Sequence, residues 1–134
     1  MRRVRKLAIV LVVCWLAAAP ASAASTCKVR QGEEVVLYST TDDPAVLVWD
    51  SRVRLRDYSA ASFDEAQALL PHALLVAPGT RATVISCVPN FVTSQIFNTP
   101  DDAVGVLILN GPLKGTTRWV LGSDVKGLHQ AAHL

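Results

Sequence analysis

Past its first two dozen residues, the chain alternates short runs of valine, leucine and threonine with clusters of turn formers. That texture predicts strands, and a mainly β fold of barrel or sandwich type. Residues 34–39 form the first strand, closed by Thr40-Thr41-Asp42-Asp43-Pro44, and residues 45–49 the second. Asp50-Ser51 reads as a turn into a third strand over 52–58. There Arg52, Arg54 and Arg56 alternate with Val53 and Leu55, giving one wet and one buried face. Residues 72–77 and 81–87 flank a turn at Pro78-Gly79-Thr80, and 94–97 form a short strand before the loop 98–102. Residues 103–109 and 116–121 flank the loop 110–115, whose glycines and proline signal a hairpin.

One inserted helix interrupts the strands. Ser62-Phe63-Asp64-Glu65 has the form of a capping box, in which the serine hydroxyl accepts from a free amide and Glu65 reaches back to the cap. Asp64 and Glu65 also lie at the positive end of the helix dipole. The helix spans about 62–70 and Pro71 ends it, with Phe63, Ala66, Leu69 and Leu70 at the spacing that packs on a sheet.

The first residues have a different character. Arg2, Arg3, Arg5 and Lys6 precede an apolar run over 7–19, Pro20 breaks it, and Ala21-Ser22-Ala23 supplies a small-x-small cleavage pattern. This reads as a secretory signal peptide, residues 1–23, with a mature start at Ala24 and an exported product, periplasmic or secreted. The run is shorter than a spanning helix needs, so no stable membrane span is expected after cleavage. The domain then covers 24–126, with 127–134 as a tail.

The leader changes the charge. The chain has 13 basic and 11 acidic residues, a formal charge of +2. Four of the basic residues lie in the leader, which leaves nine against eleven and a charge of −2. A net-acidic domain gives no electrostatic case for nucleic-acid binding. Cys14 goes with the leader. Cys27 and Cys87 remain, far apart and in no C-x-x-C pair, so in an oxidising compartment they predict one structural disulfide rather than a metal site.

From Leu75 onward the pattern resembles a bacterial Src-homology-3-like (SH3-like) domain. Leu75-Val76-Ala77-Pro78-Gly79-Thr80-Arg81-Ala82-Thr83-Val84-Ile85 matches an apolar strand, a Gly-Thr turn and an alternating strand. Lys114-Gly115-Thr116-Thr117-Arg118-Trp119-Val120, followed by Gly122-Ser123-Asp124-Val125, matches a hairpin and a short helical turn. The resemblance covers about half of the mature chain. Arg118 replaces a usual glycine, the helix-bearing insertion 59–71 departs from the pattern, and 88–102 is longer than a typical connection. It implies a small SH3-like barrel, with Trp119 capping one end, and a bias towards binding.

Catalytic constellations are sparse. His129 and His133 stand in the tail, which leaves His72, just after a helix-ending proline and with no Gly-x-Ser-x-Gly motif near it. His129 and His133 share one helical face, but two ligands do not close a zinc site. Glu33-Glu34, Asp42-Asp43 and Asp101-Asp102 read as solvated turns and Asp64-Glu65 as helix capping, so no cofactor or metal is called for. The ligand-binding candidates are Arg52, Arg54 and Arg56 in a strip, with Trp49 and Tyr58 at its ends. Such a strip suits an acidic peptide, a glycan carboxylate or a phosphate. As an ordinary outer face, the same arginines would meet Asp50 and Asp57. Taken together, the sequence predicts an exported binding module without enzymatic activity. Its partner would be a cell-wall peptide, a glycan or an envelope protein. The alternative is an inhibitor or immunity-type protein that binds a secreted hydrolase.

Overall fold

The structure, a computed structural model, describes residues 26–94 and 98–128. The leader and its cleavage point, three of the four residues of the expected strand 94–97, and the tail histidines His129 and His133 lie outside the described residues. In chain order the elements are β1 (Glu34–Leu37), β2 (Val46–Trp49), α1 (Arg52–Ala60), α2 (Phe63–Leu69), β3 (Ala73–Val76), β4 (Arg81–Thr93), β5 (Pro100–Ile108), β6 (Thr117–Leu121) and β7 (Val125–Gly127). The seven strands form one antiparallel sheet, ordered β3-β2-β6-β5-β4-β1-β7 and curled into a half-barrel. The mainly β expectation therefore holds.

The hairpin of β4 and β5 forms the spine of the sheet. It pairs from Ala82↔Ile108 to Thr93↔Pro100, with register shifts between Val84 and Ser86 and between Val88 and Val92. An extra residue on one strand bends it and sharpens its twist, which curls the sheet. Most of the segment 88–102, expected as a connection, is thus part of this ladder. At the turn before β4, Gly79 takes φ +90° and its N–H donates to the Leu37 carbonyl at 2.8 Å. A side chain would be strained in that backbone conformation.

Alternation along the strands builds a core on each face of the sheet. Val35, Leu37, Val48, Val84, Val104, Val106 and Val120 pack on one face. Trp49, Leu55, Val92 and Ala103 pack on the other, with Tyr58, Phe91 and Trp119 partly buried beside them. Trp119 belongs to this second cluster. It lies across Gly105, where a Cβ would come within 3.3 Å of its ring.

Residues 52–58 overturn the third strand, because they lie within the helix α1. Ser51 caps it, accepting from the Arg54 N–H at 3.2 Å, so Asp50-Ser51 is a helix start rather than a strand turn. Helical periodicity, not alternation, decides burial. Leu55 is 2% exposed and Tyr58 partly buried, whereas Val53 is 45% exposed. Arginine and leucine both favour helices, which removes any local preference for the extended form.

The expected helix over 62–70 is present as α2, with both halves of its capping box formed. Its packing differs from expectation. Leu69 packs against the second core, while Phe63 is 77% exposed and Leu70 is also exposed.

Candidate functional site

The end of α1, the start of α2 and one end of the sheet surround an open cleft of about 860 Å³. Tyr58, Ser59, Ala61, Ser62, Phe63 and Ala66 line the helical side. Val92, Ser94, Thr99, Pro100, Asp101, Leu121 and Ser123 line the sheet side, and Lys28 and Thr40 complete the wall. At this corner the Ala61 N–H donates to the Tyr58 carbonyl at 3.2 Å and Ser62 caps the start of α2, so the Tyr58–Phe63 turn is held by local hydrogen bonds. Tyr58 is also set by Trp49, with ring centres 4.9 Å apart.

Asp101 and Asp102 hold the floor together. Asp101 Oδ1 accepts from the Asp102 N–H at 2.8 Å and its Oδ2 from the Ser123 N–H at 3.3 Å. Asp102 is buried, and it accepts from the Asn90 N–H at 3.1 Å and the Lys28 N–H at 3.4 Å. This pair is therefore no solvated turn, as the sequence had suggested. It joins β4, β5, the turn after β6 and the N-terminal segment. Gly122 is required beside it, since a Cβ would meet Asp101 Oδ1 at 2.9 Å and Asp102 Cβ at 3.0 Å.

The predicted disulfide joins Cys27 to Cys87, with Cα atoms 6.4 Å apart. Asp102 lies beside it, and with the two sulfurs forms the group that could hold a metal ion among the described residues. Both sulfurs are spent on the bridge, so neither is a thiolate ligand.

A second hollow of about 640 Å³ lies on the other side of Thr40, between Tyr38, the loop through Asp42 and Asp43, Pro78 and Lys126. The Lys126 ammonium sits 4.0 Å from the centre of the Tyr38 ring. Nearby, burial raises the Asp124 carboxyl to about 6. The charges of Asp101 and Asp43 add to this, and the amide and hydroxyl of Thr40 only partly offset it. Burial also raises the Tyr38 phenol, helped by Asp124 and Asp101.

The sequence-predicted ligand residues divide between different surroundings. Trp49 is a core residue at 1% exposure, and of the five only Tyr58 lines the cleft. Arg54 turns to Asp50, 2.7 Å away. Arg52 and Arg56, one helical turn apart, both lie over Phe91. His72 is exposed, at the end of a short 3-10 turn before β3.

Sequence reasoning missed Phe63, Phe91 and Asp124 as surface or site residues. For Phe63 the capping box was a usable signal, because it places the residue at the first helical position, beside the turn that lines the cleft. Comparison with protein families, with curated proteins and with solved structures found no match to this chain.

Proposed function

We propose that this protein is an exported, disulfide-bridged binding module that takes a cell-wall peptide, a glycan or a segment of an envelope protein into the cleft beside Phe63. The observation that carries this reading is the cleft. Its volume is typical of ligand pockets, and it combines two aromatic rings with a row of hydroxyls, one ammonium and one carboxylate. These groups recognise and orient a ligand. The export part of the proposal rests on the basic, apolar and small-x-small succession of the leader, and the disulfide is consistent with it.

An SH3-like ancestry belongs to the same proposal. It is supported by the Gly79 turn and by the 3-10 turn Gly122–Asp124, which leads from β6 into β7 and so to pairing with β1.

Co-sedimentation of the mature protein with isolated wall sacculi tests the reading. Wild type is expected in the pellet and Phe63→Ala largely in the supernatant. Phe63 is so exposed that its truncation leaves the fold intact. Wild type remaining in the supernatant would remove the wall from consideration. Recovery of a single stoichiometric secreted hydrolase in a pull-down would favour the inhibitor reading instead.

A further inference from the structure

We infer that the flank of α1 beside the sheet carries a phosphate-binding site, separate from the cleft, made by Arg52 and Arg56 over an aromatic floor of Phe91 and Trp119. The two arginines stand four positions apart, which puts them on one helical face about 6 Å apart along the axis. The Arg52 guanidinium carbon lies 5.5 Å from the Phe91 ring centre and 5.9 Å from that of Trp119. That of Arg56 lies 5.3 Å from Phe91. Stacking on a ring fixes a guanidinium while its peripheral N–H groups stay free to donate.

The surrounding charges leave these two side chains available. None of the ion pairs among the described residues involves Arg52. Arg56 meets only Asp57, 3.6 Å from its Nε, which leaves its terminal nitrogens uncommitted. Arg54 and Arg81, by contrast, are engaged by Asp50 and Glu34. Acids outnumber bases once the leader is set aside, so the arginines are not unpaired for want of carboxylates. The first turn of α1 also contains no acid, although the helix dipole favours one there. Asp50, just before the Ser51 cap, is the carboxylate at that end, and it is paired with Arg54.

A phosphate fits this arrangement better than a carboxylate. It carries up to two charges and has acceptor oxygens on every side, so separate guanidinium forks reach it from different directions.

The test titrates the mature, disulfide-bonded protein with inorganic phosphate and, separately, with linear inorganic polyphosphate, following tryptophan fluorescence. Saturable binding is expected, weakened about tenfold or more by the double substitution Arg52→Ala/Arg56→Ala. Arg54→Ala is expected to stay within about twofold of wild type, because that side chain is already paired. The double Arg→Lys variant keeps both charges but loses the planar fork and the stack, so it should fall between them. It also decides the matter if the alanine variant fails to fold.

A response to inorganic phosphate identifies a free phosphate ligand, and a response to polyphosphate alone identifies phosphates carried on a polymer. No binding of either probe, or equal loss in Arg54→Ala, overturns the site. Phe63→Ala should leave phosphate binding unchanged, so the cleft and this face succeed or fail independently.

Discussion

Single side chains here record where the fold accepts a cost. Asp124 sits in the turn between β6 and β7, with its carboxyl raised to about 6, first by burial and then by Asp101 and Asp43. An unfolded chain releases this proton at its ordinary value, 3.8. Between those values the folded state holds a proton that the unfolded state has lost. Stability from this group is therefore greatest in acid, falls as pH rises through that window, and is level above it. The ionised carboxylate costs about 2 kcal/mol at neutral pH once screening of a partly exposed group is allowed for. Asp124→Asn should be more stable than wild type at pH 7.5, with most of that advantage gone near pH 4. Urea midpoints at the two pH values measure this, and a variant that is less stable at pH 7.5 refutes it.

At the scale of elements, α1 shows where a sequence pattern carries two readings. The alternation through 52–58 has period two, but Leu55 and Tyr58 also sit three apart, which is the helical spacing. Ser51 and the compact corner into the Ser62 cap decide between them, because a helix here covers Trp49 and Trp119 whereas an extended strand would leave that core open. The Ser51 cap and the helix-favouring arginines and leucine are local signals, but the cover of Trp49 and Trp119 that completes the choice lies outside any local window. The capping box of α2 was legible because its hydrogen bonds are local. A substitution pair separates the two readings of α1. On a strand, Val53 and Leu55 would share one buried face and be comparably sensitive. On the helix, Leu55→Ala should cost about 2–5 kcal/mol and Val53→Ala less than about 0.5 kcal/mol, by denaturant titration. Similar costs at the two positions would restore the strand.

For the whole molecule, the bridge between Cys27 and Cys87 links stability to the site. Its pairing was legible from cysteine count and compartment, but its place beside the cleft was not, because that depends on β4 continuing past Val88 to bring Asn90 against Asp102. The bridge closes a loop with a sequence separation of 60, so chain entropy alone gives it about 4 kcal/mol. It also anchors the segment whose next residue, Lys28, donates its N–H to Asp102 and forms part of the cleft wall. Cys27→Ser/Cys87→Ser should therefore do two separable things. The urea midpoint should fall by about 2 M, the unfolded chain having gained the freedom the bridge removed. In buffer without urea, with binding expressed per folded molecule as counted by circular dichroism, retention on the ligand of the cleft should drop as well, while phosphate binding at Arg52 and Arg56 stays near wild type. The freed segment supplies the cleft wall but no part of the aromatic floor under α1. Equal loss at both sites would show that the bridge acts only through global stability. Loss confined to the cleft would show that it positions the wall.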